Sequence, residues 1–72
     1  MTLSEVNVGD LYIIKDFNRD FFVEVDLIGV IRGAVILVEE THPEGPIRFI
    51  VNQRRITMTM GACKMIEVEK VK

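Results

Sequence analysis

The sequence predicts a mainly β protein, a small barrel of about five short strands in one domain over residues 1–72. Three observations predict it. Short runs rich in β-branched and aromatic residues recur along the chain. Turn-forming residues separate them at close spacing, as in small closed sheets. Finally, 49% of the residues are hydrophobic, although a domain of this size buries only about 60% of the surface its unfolded chain exposes. The surplus is expected at the surface as a patch for a partner or a second copy. Closure of the sheet is expected too, because an open sheet this apolar has sticky edges.

The elements follow in order. Val8-Gly9-Asp10 reads as a turn, and Leu11 to Phe17, "LYIIKDF", as a strand ending at Asn18. Residues 19–29, "RDFFVEVDLIG", support two readings. Val23, Val25 and Leu27 alternate with acids, as in a strand; Phe21, Val25 and Ile28 also share one helical face. In the helical reading Gly29 is the stop. Gly33 to His42 reads as a strand leaving a core, apolar through Val38 and polar from Glu39. "HPEGP" is turn chemistry. Strands "IRFIV" and "RRITMTM" follow, two residues apart, although Gln53 is not the glycine that a type I′ hairpin prefers. Gly61 breaks the pattern, "ACKM" fits one helical turn, and "IEVEKV" closes the chain with clean alternation.

Charge and cysteine usage exclude several classes. Net charge is −2 and the pI about 5.3, against the basic face expected of a nucleic-acid binder. A lone cysteine makes no internal disulfide. The start "MTLSEVNVGD" has neither a basic nor an apolar leader segment, and no apolar run approaches a membrane span. A cytoplasmic protein is expected, without direct membrane insertion.

Four sulfur side chains, Met58, Met60, Cys63 and Met65, fall within "ITMTMGACKM". Soft ligands of this kind suit copper(I). However, Ile56, Met58 and Met60 share one strand face, and core packing explains them better. His42 lies near Glu39, Glu40 and Glu44, but lacks the paired ligand spacing of a metal motif. A solvated loop histidine is expected. No nucleophile, base and orienting group come together, and Gly29-x-x-x-Gly33 is not a phosphate loop. Neither catalysis, a resident metal nor a cofactor is expected. Arg54 and Arg55 are adjacent on a strand, so they point to opposite faces.

Leu3 and Gly9, the run Ile28-Gly29-Val30-Ile31-Arg32-Gly33, the loop Pro43-Glu44-Gly45-Pro46-Ile47, and Cys63 to Val68 together resemble the FeoA family in their register. These are small accessory proteins of ferrous iron uptake. The resemblance implies an SH3-like barrel with one short helix between the first two strands, Phe21 to Ile28, and a helical turn before the last strand. It implies no catalysis. Its expected partner is a FeoB-like membrane GTPase permease, which would hold the protein at the inner face of the membrane; a homo-oligomer is a further expectation. The chain departs from the family pattern at Glu24-Val25, Arg32, Asn52-Gln53 and Ala62-Cys63. The same barrel occurs in metalloregulators, so a metal-sensing domain that binds a transition-metal ion is the alternative function. Partner contacts are expected at two turns, Ile31 and Arg32 in one and His42, Pro43 and Glu44 in the other. Gly29, Gly33, Gly45 and Pro46 are expected to shape those turns.

Overall fold

A computed structural model describes residues 1–17 and 30–71. The helix expected over Phe21 to Ile28, with its stop at Gly29, lies outside the described residues. Among the described residues five strands form one antiparallel sheet: β1 (Leu11–Phe17), β2 (Val35–Glu40), β3 (Ile47–Val51), β4 (Arg54–Met58) and β5 (Ile66–Lys70). Their spatial order is β4-β3-β2-β1-β5. Alternation puts Tyr12, Ile14, Ile36, Val38, Phe49, Val51 and Val68 on one face, where they form a single core with Leu3, Ile47, Cys63 and Ile66.

Two bulges interrupt the alternation of a regular strand. In β1, Ile14 pairs with Val68 and Asp16 with Glu67, so one extra residue is absorbed between them. Lys15 and Asp16 therefore both face outward, and Phe17 returns to the core. In β2, Val38 pairs with Phe49 and Glu40 with Arg48. Glu39 is the extra residue, and both glutamates are left on the side of Arg48.

The hairpin β3–β4 has the two-residue loop read from the sequence. Val51 pairs directly with Arg54, and the two loop residues have positive φ, 51° at Asn52 and 64° at Gln53. That is the type I′ geometry, with glutamine in the seat glycine normally takes.

The expected closure by hydrogen bonds is not found: among the described residues no ladder joins β4 to β5. A helical turn, Met60–Cys63, spans the gap. It begins before Gly61 rather than after it, because the Thr59 hydroxyl accepts the Ala62 N–H at 3.4 Å and caps it. The other side of β5 is partly covered by the N-terminal segment. Thr2 bridges to Glu67, and the Val68 N–H donates to the Met1 carbonyl at 2.8 Å. Residues Leu3–Glu5 form a 3-10 turn that buries Leu3 fully. The Thr2 N–H donates to the Glu5 carboxylate at 3.0 Å, which holds that carboxyl below the usual glutamate range.

Candidate functional site

The two turns singled out in the sequence stand at opposite ends of β2. A six-residue strand separates them, about 20 Å at the usual rise, so they do not form one contiguous site.

In the first turn the Ala34 N–H donates to the Ile31 carbonyl at 3.1 Å, and Gly33 has φ +89°. This is a type II pattern, in which the third residue needs positive φ and glycine supplies it without strain. The strand thus begins two residues after Gly33, not at it. Arg32 is exposed and donates to the Asp16 carboxylate at 2.8 Å, which ties the turn to the β1 bulge. Ile31 is 45% exposed. It lines a shallow depression with Ala34, Val35, Val51 and Asn52.

In the second turn the Gly45 N–H donates to the His42 carbonyl at 3.0 Å, with Pro43 and Glu44 between. Here Glu44, at φ 55°, occupies the positive-φ position. Gly45 is needed for a different reason: a Cβ there meets the His42 Cβ at 2.8 Å. Pro46 is exposed and leads into β3. His42 is solvated, and its Nε2 lies 3.6 Å from the Glu40 carboxylate.

His42 heads a chain of surface charges. Glu40 also meets Arg48 at 3.4 Å, and Arg48 lies 3.6 Å from Glu39. Arg55 donates to both Glu39 oxygens, at 2.6 and 3.3 Å. That fork holds the Glu39 carboxyl below its ordinary range and raises the Arg55 guanidinium. Arg54 takes no part, consistent with neighbours on a strand facing opposite ways. Among the described residues no group of three His, Cys, Asp or Glu side chains is arranged to hold a metal ion.

The sulfurs are split between inside and outside. Met58 and Cys63 are buried in the core, and Cys63 donates its S–H to the Met58 carbonyl at 3.7 Å. Met65 is 44% exposed. Burial pushes the Cys63 thiol up to about 11, so at neutral pH it is protonated and not a free thiolate nucleophile.

The largest feature missed by the sequence reading is the outward face of the sheet. Directly paired residues share a face. Leu11 pairs with Leu37, and Leu37 with Ile50. The Val71 N–H donates to the Leu11 carbonyl, which adds Val71 to the same row. Ile13 pairs with Val35 beside it. Leu11, Val35 and Leu37 are exposed. The signal was present in the period-two pattern: "LYIIK" and "AVILV" are apolar at both alternating sets, so each strand offers an apolar outside as well as an inside.

Among the described residues no helix is long and apolar enough to cross a membrane. Compared with known families, residues 1–70 match the FeoA domain. The fold is similar to that of an iron uptake regulatory protein (FeoA), with 30% identity and a TM-score of 0.88 over 99% of this chain and 97% of that one. It is similar also to the FeoA protein from Chlorobium tepidum, at 27% identity and TM-score 0.88, covering 100% of this chain and 71% of that one. A third similar structure is Stenotrophomonas maltophilia FeoA complexed with zinc, described as a procaryotic SH3 domain protein. It is 18% identical, with a TM-score of 0.81 over 96% of this chain and 89% of that one. That likeness concerns the fold: the ladder-open sheet is SH3-like. A comparison with curated proteins finds no match.

Proposed function

The chain belongs to the FeoA family, and from that premise we propose that it is a cytoplasmic accessory and regulatory protein of ferrous iron uptake. It acts by binding a FeoB-like GTPase permease at the inner face of the membrane, and it catalyses no reaction. One observation carries the reading: the apolar surplus of the chain is displayed on a continuous outer face, while its thiol is sealed in the core and its histidine stands in solvent. Such a surface suits association, since exposed contiguous apolar patches mark interaction sites. The ion pairs around it are solvent-exposed and serve solubility and register more than affinity. The S. maltophilia relative has been suggested to act as a ferrous iron transport activating factor, which accords with a regulatory role.

The test is association and transport together. The purified protein is expected to bind the cytoplasmic domain of a FeoB-like permease. A strain lacking it is expected to take up radiolabelled Fe(II) more slowly, with rescue by the intact gene. Unchanged uptake in that strain, with no binding in vitro, refutes the role.

A further inference from the structure

The β4 edge of the sheet carries a defined set of unpaired backbone groups. In a two-residue hairpin the closing pair, here Val51 and Arg54, exchanges hydrogen bonds, and so does every second pair beyond it. Ile56 and Met58 therefore turn their N–H and C=O groups toward β3, opposite Phe49 and Ile47. Arg55 and Thr57 turn theirs away from the sheet, and among the described residues no backbone group meets them. Natural sheets guard such edges. The β5 edge is taken up, because Thr2 bridges to Glu67 and the Val68 N–H donates to the Met1 carbonyl. β4 has no such cover, no bulge in its register with β3 and no proline. The Arg55 side chain does not guard it either: its fork with Glu39 draws it back across β3 to β2.

We infer that the β4 edge pairs with the same edge of a second copy of this chain, across a two-fold axis at Ile56. Pairing of one edge with itself about a two-fold is antiparallel, and residues turned outward must then lie opposite each other. Arg55 against itself sets like charges face to face, which is destabilising. It also opposes Thr57 to Gln53, whose φ of 64° is not extended. Thr57 against itself sets Arg55 opposite Thr59, whose carbonyl already accepts the Cys63 N–H at 3.0 Å. The remaining register sets Arg55 of each copy opposite Thr57 of the other. It pairs every outward N–H and C=O of Arg55 and Thr57, and brings no like charges together. Half-buried Ile56 meets its own copy on the axis. With β5 covered, β4 finds only β4, so the contact closes as a dimer and does not run on as a fibre. The axis stands normal to the sheet, which leaves both outer apolar faces on one side of the dimer. The contact is five residues long, about 17 Å at the usual rise, and one strand spacing wide. That is well below a standard stable interface, so the dimer forms with rising concentration.

The test uses the full chain. Sedimentation equilibrium is expected to show monomer giving way to dimer between about 10 μM and 1 mM. Thr57→Pro removes an N–H with no acceptor in its own chain, at an edge position that tolerates proline. Its dimer is expected to be weaker by about tenfold or more. Thr57→Val keeps the N–H and the strand preference, and is expected to dimerise as the parent does. Circular dichroism checks that each variant folds. Ile56→Cys reads the register independently of the proline. Directly opposed residues of a non-hydrogen-bonded pair stand about 4.5 Å apart at Cα, within disulfide range. Oxidised glutathione is therefore expected to link the copies at position 56. Arg54→Cys, about 14 Å from its own copy along the strand, is expected to stay unlinked, and native Cys63 is buried in both variants. A parent that stays monomeric to about 1 mM overturns the proposal. A dimer that folded Thr57→Pro retains, or one that links at position 54 and not at 56, overturns it as well. So does loss of the dimer on adding the cytoplasmic domain of a FeoB-like permease, with a photo-crosslinker at position 57 captured by that domain.

Discussion

Replacing Gln53 with glycine should stabilise the protein, although it removes a side chain and adds none. The hairpin joins β3 to β4 with two residues, and Val51 pairs directly with Arg54, so no slack remains. Both loop residues sit at positive φ, and Gln53 is at 64°. An L-residue with a Cβ pays about 1–2 kcal/mol in that region. Glycine removes the penalty but loses about 0.5–1 kcal/mol more backbone entropy on folding. The difference leaves Gln53→Gly about 0.5–1 kcal/mol more stable than the parent, which for a domain of this size raises Tm by about 2–8 °C. Gln53→Val should do the reverse, because a β-branched residue at positive φ is a steric outlier. Urea and thermal unfolding followed by circular dichroism measure both. If glycine leaves Tm unchanged or lowers it while valine is tolerated, the hairpin is not type I′. A slipped register would then be indicated, with Ile56 and Met58 turned off the core.

Other expectations follow from the core and the surface charges. Met58→Ala should cost about 2–5 kcal/mol, because the side chain is buried on the core face of β4; a denaturation midpoint equal to that of the parent contradicts this. Cys63 should resist alkylation by iodoacetamide at neutral pH until the chain unfolds. Its folded thiol is raised from 9.0 to about 11, so the stability it confers is complete below pH 9 and is lost as pH rises through about 11; Cys63→Ala should flatten that alkaline loss. The Glu39 carboxyl is held low by Arg55, so the pair's contribution is present above the ordinary carboxylate range and is lost as pH falls through the lowered value. Glu39→Gln should therefore differ from the parent at neutral pH and converge with it in acid.

The strands were legible because short apolar, β-branched runs are separated by turn residues. "HPEGP" and the Asn52-Gln53 gap each mark a chain reversal between consecutive strands, and those reversals make β2–β3 and β3–β4 antiparallel neighbours. Three things were not legible. The bulges were hidden because alternation in "IIKDF" and "LVEE" breaks by a single residue, and that reads as noise without a partner strand. The start of the helical turn was misplaced because Gly61 resembles a breaker, whereas the Thr59 cap two residues earlier decides the onset. The outer apolar face was missed because apolar residues at both alternating sets suggest a doubly buried strand; only pairing shows that Leu11, Leu37 and Ile50 line up in one row. The two turns chosen for partner contact were individually reasonable. A six-residue strand between them keeps them from acting as one surface, which follows from the β2 boundaries rather than from the turns themselves.

The bulges also fix where this chain tolerates a change in length. Deleting a residue from a regular strand reverses the facing of everything beyond it and turns core residues toward water. At a bulge the extra residue has already been absorbed, so its removal restores regular alternation. Without Lys15, Ile14 still faces in, Asp16 out and Phe17 in. Without Glu39, Val38 still faces in and Glu40 still lies beside Arg48. A one-residue gap at either position preserves every inward and outward assignment, whereas the same gap elsewhere in β1 or β2 does not. The cost of such a deletion falls on curvature: the strand loses local twist, and the sheet wraps less tightly around its core.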